Sequence, residues 1–367
     1  MNPWKGLQGL PREIWILFAA TLTNRAGTMV LPFLVLYLTD SLGFSAGHAG
    51  FILAVYGIGA LISAPLSGWL CDRYGGYRIM RESLLLTGLV LILIPLFKTF
   101  AAVTVAVFLL ALANEMFRPA NLAYMSLLVM PEQRKPAFSL IRLSINLGMS
   151  VGPALGGFLA GVSFLWLFVI DALTSLAAGL LLAFSNFREI KGEHLSQHKK
   201  ADGSAPPAAS PLRDRRFIAY VIAILPVAFV FFQHISAMPL FMVRNLHLQE
   251  HVYGLMFTIN TLLIVFLEVP LNLATAHWPY RLTLVLGCIL CAAGFGGLAL
   301  ATGLYGVIAT VVVWTFGEMV LFPGSSAYVA HIATPARQGQ YMGMYTMAWG
   351  VSFSLGPWLG VYILDHF

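Results

Sequence analysis

Eleven apolar stretches of about 20 residues fill most of this chain, near positions 13–38, 47–70, 82–100, 102–129, 137–160, 163–187, 217–243, 251–275, 282–301, 303–330 and 340–364. Each is long enough to cross the hydrocarbon core of a bilayer. A backbone there finds no water, so it must satisfy its own N–H and C=O groups, and a helix does so within one segment. The expected fold class is an all-α membrane protein. Composition agrees: 59% of the 367 residues are hydrophobic and 10% charged, where a soluble domain carries roughly 25% charged residues. The opening "MNPWKGLQGLPR" (1–12) has no small-residue cleavage site after a short apolar core, so the first span reads as a retained anchor rather than a signal peptide.

The basic residues set an orientation. With the N-terminus in the cytoplasm, sixteen lysines and arginines fall inside, seven of them in one linker, while only Lys98 and Arg244 fall outside. This loop asymmetry accounts for the net charge of +6 without nucleic acid. The remaining three, Arg25, Arg118 and Arg142, lie within spans.

The linker "REIKGEHLSQHKKADGSAPPAASPLRDRR" (188–216) is polar and rich in Ala, Pro and Ser, as flexible connectors are. It divides a six-span bundle (1–187) from a second bundle (217–367) in which five spans are seen. The halves repeat. "RPANLAYMSLLVMP" (118–131) aligns with "FPGSSAYVAHIATP" (322–335), and "GMSVGPALGG" (148–157) with "SFSLGPWLGV" (352–361), at one offset of 204 without a gap. The matches fall on Pro, Tyr and Gly: Pro119 with Pro323, Tyr124 with Tyr328, Gly152 with Gly356, Pro153 with Pro357. Such internal repeats are the architecture of many secondary transporters. The last span answers to the fifth, so a counterpart of the sixth is missing. Either this chain is truncated or the protein stops at eleven.

Two motifs carry a resemblance. In "GWLCDRYGGYR" (68–78), Gly68, Leu70, Asp72, Arg73 and Gly75 match the G-x-L-x-D-R-x-G signature of the major facilitator superfamily. The glycines allow close helix approach, Asp72 suits the positive N-terminus of the next helix, and Arg73 and Arg78 anchor the loop. Asp72 has Ala276 as its repeat mate, so no equivalent latch is expected in the second half. In span 5, Gly148, Gly152, Pro153, Gly156 and Gly157 resemble the antiporter motif G-x-x-x-G-P-x-x-G-G. Gly148, Gly152 and Gly156 share a helix face, and Pro153 is expected to bend the helix. The resemblance implies two pseudo-symmetric six-helix halves, with the twelfth helix apparently absent. It implies a latch at the first motif that holds the halves in one conformation. It also implies drug:proton antiporter-like export from the inner membrane of a bacterium, with spans 1, 2, 4, 5, 7, 8, 10 and 11 lining a central cavity.

Six intramembrane charges fall on those cavity spans: Arg25, Glu115, Arg118, Arg142, Glu268 and Glu318. A charge facing a wet cavity with partners is tolerable where one facing lipid is not. Asp171, on span 6, is expected to be hydrogen-bonded between helices. Glu115 and Arg118 share a face; they either pair with each other and Arg25 to lock the first half, or bind substrate or protons. Arg142 either snorkels toward the cytoplasmic end or joins the site. His234 is structural or titrating, and Asn24, Asn121, Asn146 and Asn260 are interhelical glue or cavity lining. Counted within halves, the second half has Glu268 and Glu318 but no span cation, so Glu318, then Glu268, then Glu115, is the expected order for a proton carrier.

Cys288 and Cys291 form a C-x-x-C within an apolar run and read as buried small residues, without metal. No P-loop, HExxH or GxSxG points to ATP use or catalysis, and no cofactor is expected. The reading is a monomeric, proton-coupled exporter of amphipathic small molecules. The alternatives are a carrier of an anionic or zwitterionic metabolite, peptide or siderophore, or a non-transporting sensor or scaffold.

Overall fold

The computed structural model describes residues 7, 9–185, 187, 190, 210–248 and 250–366. Most of the expected linker lies outside them. Ten helical segments among the described residues are long and apolar enough to cross a membrane. They are span 1 (Arg12–Ser41), span 2 (Gly47–Tyr74), span 3 (Gly76–Leu96), span 4 (Phe100–Leu128), span 5 (Pro131–Ala160) and span 6 (Phe164–Phe184) in the first half. Span 7 (Arg215–Ile235), span 8 (Leu255–Ala274), span 9 (Tyr280–Leu300) and span 10 (Leu304–Ile332) follow in the second. The eleventh expected span is a continuous helix, Gln338–His366. The repeat is visible in the helix limits: Phe100–Leu128 and Leu304–Ile332 are both 29 residues long and displaced by the same offset as the sequence matches.

Span 1 is not the single helix its hydropathy suggested. It runs helical over Arg12–Ala26, opens, and resumes at Val30–Leu36 before a π turn at Tyr37–Ser41. An open turn frees backbone N–H groups that lipid cannot satisfy. Asp171 of span 6 supplies the acceptor: its Oδ2 takes N–H bonds from Met29 at 3.1 Å and Val30 at 3.2 Å. This is the interhelical hydrogen bonding expected of Asp171, with a specific job. Span 7 opens at the corresponding place, passing from Arg215–Phe231 through a tight turn at Phe232–Ile235 to Ala237–Arg244. Interruptions at matching positions of two repeats are a structural pointer to a transport site.

The halves share one continuous apolar core, which joins Leu17, Met80 and Tyr124 to Phe217, Tyr341 and Trp349. The opposite end of the first half keeps a separate core around Leu34, Tyr37, Leu91 and Phe168. The joined region is at the end that carries the 68–78 loop and the linker, called the linker side below. There span 2 crosses span 11 closely enough that a methyl on Gly339 would stand 2.8 Å from the Asp72 Oδ1.

Candidate functional site

Span 5 places Arg142 at the boundary between the halves, and its charge is met from the other side. Arg142 Nε donates to Glu268 Oε1 at 2.7 Å, and its terminal nitrogen to Glu268 Oε2 at 3.3 Å and Glu318 Oε1 at 3.0 Å. Glu268 sits in a π turn of span 8, Ile264–Glu268, and is fully buried; such turns recur at functional sites. Glu318 of span 10 also accepts from Asn260 Nδ2 at 3.0 Å. Phe322 lies under the guanidinium, 4.6 Å from ring centroid to the central carbon. Arg142 therefore does not snorkel, and the expectation that Glu268 and Glu318 lack a cation is corrected. The count within halves missed an arginine that crosses between them.

Beside this triad is a cavity of about 80 Å³ lined by Arg25, Arg118 and Arg142, with Thr21, Asn121 and Ser326 as further polar groups. Phe322, Tyr345 and Trp349 of the second half form an aromatic wall. Among the described residues neither Arg25 nor Arg118 forms an ion pair with a carboxylate. Of the two alternatives for this group, the pairing with Glu115 is not seen among the described residues: Glu115 Oε1 accepts from Tyr56 Oη at 2.8 Å and Asn114 Nδ2 at 3.0 Å. The half-buried Arg25 and the accessible Arg118 face a cavity, and this explains how the chain holds them in the membrane.

Other expected site residues lie elsewhere. Asn24 Nδ2 donates to Ser175 Oγ at 3.1 Å, so it joins spans 1 and 6. Asn121 lines the cavity and Asn260 holds Glu318; Asn146 is half-buried on span 5 and does not line the cavity. His234 has its Nδ1 2.6 Å from the Phe231 carbonyl and is packed among Phe231, Phe257 and Trp314. Tyr56, Lys135, Tyr345 and Trp349 were missed. For Lys135 a signal existed, because its repeat mate is Gly339, at the helix start that receives Asp72.

The glycine face of span 5 packs on the opened turn of span 1. A methyl on Gly152 would stand 3.0–3.1 Å from the carbonyl oxygens of Thr28, Ala26 and Arg25, and one on Gly148 would meet the Ala26 nitrogen at 2.8 Å. Gly156 meets Phe33 and Met29 on the same side, while Gly157 is looser, 3.8 Å from Phe33. The motif thus sets the position of Arg25. The backbone of span 5 remains helical through Pro153, whose side chain lies outside the described ones.

At the linker side Asp72 reaches the other half. Its carboxylate accepts from the backbone N–H of Gly339 at 2.7 Å and Gln340 at 3.0 Å, capping span 11 in the other half. Gly68 lies against the Gly339 backbone, and Gly75 (φ 97°) makes the turn a side chain would strain. Arg73 stacks on Trp69 and Tyr74, and Arg78 on Tyr74. The symmetry-related place is not empty, contrary to expectation. Lys135 Nζ, buried at 2% exposure, donates to Thr275 O, Trp278 O and Thr283 Oγ1 at 3.2, 2.8 and 2.8 Å. One clasp uses an anion on amides, the other a cation on carbonyls. Among the described residues Cys71, Cys288 and Cys291 form no disulfide.

Two repeated helical halves, clasped at one end around a charged cavity, have the build of a secondary transporter. The sequence model of the Major Facilitator Superfamily matches residues 16–244 and 221–367, and the chain belongs to that family. It is 26% identical to the uncharacterized MFS-type transporter YqjV of Bacillus subtilis (strain 168), over 100% of this chain and 89% of that one. It is 21% identical to a Na(+), Li(+), K(+)/H(+) antiporter of Planococcus maritimus (91% and 85% covered) and 23% identical to the multidrug resistance protein MdtH of Aeromonas salmonicida (strain A449) (86% and 78%). Among solved structures, a bacterial homologue of the iron transporter ferroportin in an outward-facing state has a TM-score of 0.70 at 15% identity, covering 96% of this chain and 95% of that one. The proton:xylose symporter XylE also has 0.70, at 14% identity, covering 94% and 87%. The chain is a membrane transporter and not an enzyme.

Proposed function

We propose that this transporter exports amphipathic small molecules in exchange for protons, as a monomer in the inner membrane of a bacterium, with its N-terminus and linker side in the cytoplasm. The observation that carries the reading is the Arg142–Glu268–Glu318 triad. One guanidinium meets two carboxylates, so the cluster is neutral with one proton and carries a net negative charge without it. In a low-dielectric interior that difference is large. A proton on Glu318 or Glu268 also removes a charged acceptor from Arg142 and so loosens the tie between the halves. Proton binding is thereby linked to opening of the clasped end, as alternating access requires. The names of the relatives, an antiporter and a multidrug resistance protein, support exchange and export; the distribution of Lys and Arg supports the orientation.

The test is reconstitution of the full chain into liposomes with an imposed pH gradient. The probes are naphthalene-2-sulfonate, phenylphosphonate and tetraphenylphosphonium. Accumulation of at least one probe that collapses when the gradient is dissipated supports the proposal; none, or gradient-independent uptake, overturns it.

A further inference from the structure

We infer that the cargo is an organic anion whose head group seats between Arg25 and Arg118, against the indole N–H of Trp349. The inference rests on the transporter reading above and adds to it the charge of what is carried.

The charges on the cavity wall are all of one sign. Arg25, Arg118 and Arg142 line it, and among the described residues only Arg142 of the three is engaged by carboxylates. The acidic groups nearby are turned away or covered. Glu268 is fully buried behind Arg142, Glu318 is held by Arg142 and Asn260, and Glu115 is held by Tyr56 and Asn114. A lipophilic cation entering this cavity would meet two guanidiniums and no lining carboxylate.

Three of the residues that line the cavity also carry unmet hydrogen-bonding groups. Arg25 Nε, Trp349 Nε1 and Asn121 Oδ1 are buried and without a hydrogen-bond partner, and all three residues line the cavity. Trp349 and Asn121 are only 5% and 4% exposed. Buried polar atoms are nearly always paired, so a cluster of exceptions marks a place for a ligand or ordered water. Two of the three are donors, which is what an oxyanion needs. Guanidinium also binds carboxylates, phosphonates and sulfonates in a planar, two-bond geometry.

Size and lining define the rest of the molecule. About 80 Å³ accepts an anionic head group but not a drug-sized body, which takes roughly 300 Å³ or more. The head group fits the arginine end, and the body is accommodated against Phe322, Tyr345 and Trp349 once the halves part, since in this closed arrangement those rings pack closely, Phe322 and Trp349 at 4.6 Å between centroids. An aromatic or otherwise amphipathic organic acid satisfies both parts.

The experiment measures binding apart from transport. The detergent-solubilised full chain is titrated with phenylphosphonate, naphthalene-2-sulfonate and tetraphenylphosphonium while its Tm is followed, since a ligand that prefers the folded state raises it. At least one anion is expected to raise Tm, and to do so less as ionic strength rises. Arg25→Gln and Arg118→Gln should each weaken its apparent affinity roughly tenfold or more, the scale of one charge-assisted hydrogen bond. Arg25→Lys should lie between, which covers the case that Arg25→Gln fails to fold. Stabilisation by the cation alone, by no probe, or equally in wild type and an Arg25→Gln/Arg118→Gln chain overturns the inference. An anion that binds at the arginines but shows no gradient-driven transport in liposomes leaves the anion site standing and overturns the proton-coupled export reading. Gradient-driven uptake of the cation with no anion binding does the reverse.

Discussion

Arg142 on span 5 and Glu268 on span 8 are joined by two hydrogen bonds along one guanidinium edge, at 2.7 and 3.3 Å, across the boundary between the two halves. Glu268 has no solvent exposure, so Arg142 is what makes its charge tolerable. Removing one member of a buried pair strands the other, at about 3–5 kcal/mol. Arg142→Met should therefore lower Tm by several degrees, and Arg142→Met/Glu268→Gln/Glu318→Gln should recover most of it. A triple variant no more stable than the single one would count against the triad as an electrostatic unit.

The two linker-side clasps predict opposite chemical sensitivities with one conformational outcome. Asp72→Ala removes the acceptor for Gly339 and Gln340 N–H, and Lys135→Met removes the donor to Thr275, Trp278 and Thr283. Both should raise the time spent open at the linker side. A cysteine at Ser326, in a chain lacking Cys71, Cys288 and Cys291, should then react several-fold faster with an impermeant thiol reagent presented from that side. Unchanged labelling in Lys135→Met would show that the second clasp is only structural.

The span 5 glycines position Arg25 by contact with the opened turn of span 1. Gly152→Val should cut transport at least tenfold, while Gly157→Ala should be close to wild type, because Gly157 meets nothing nearer than 3.8 Å. Equal loss in both, measured as initial uptake rates at matched protein, would separate the motif from Arg25.

Much of this could be read before any coordinates. The apolar lengths gave the spans, and the register of Pro119 with Pro323 and Gly152 with Gly356 gave the repeat. The glycine motif gave a packing face. What could not be read was partnership across the halves. Charge counting within each half left Glu318 without a cation, whereas Arg142 reaches it from the other bundle. Likewise the amide partners of Asp72 lie 267 and 268 residues away, at a helix start the local sequence does not announce. Hydropathy also averaged over the opening at 27–29, because one broken turn between apolar segments barely changes a mean.

Asp171 holds that opening together. Asp171→Leu leaves the Met29 and Val30 amides without their acceptor, at about 1–3 kcal/mol each for a buried donor, and should lower Tm and displace Arg25. Asp171→Asn keeps an acceptor oxygen and should be milder. Similar Tm values for the two variants would argue that water replaces the carboxylate.

Asp214 predicts a pH effect outside the membrane. It caps span 7 through Arg216 and Phe217 N–H and accepts from Tyr341 Oη at 2.7 Å. Burial alone would raise its carboxyl, but the hydrogen bonds from Tyr341, Phe217 and Arg216 outweigh it and hold the group below its usual range. A lowered folded value stabilises the protein above the ordinary carboxyl range, and the benefit is lost as pH falls through the folded value. Asp214→Ala should cost about 1 kcal/mol at neutral pH, with the difference shrinking below about pH 4. A difference constant down to pH 3 would assign the effect to packing.

The central claim is that the Arg142 triad carries the coupling proton. The direct measurement is Glu318→Gln and Glu268→Gln in proteoliposomes, with pH-driven accumulation and gradient-free exchange of the same probe recorded separately. The account predicts that at least one of the two loses pH-driven accumulation while keeping exchange, and that Glu115→Gln keeps both. Intact pH drive in Glu318→Gln and Glu268→Gln, with loss in Glu115→Gln, would contradict it and move the proton to the Tyr56–Asn114–Glu115 group.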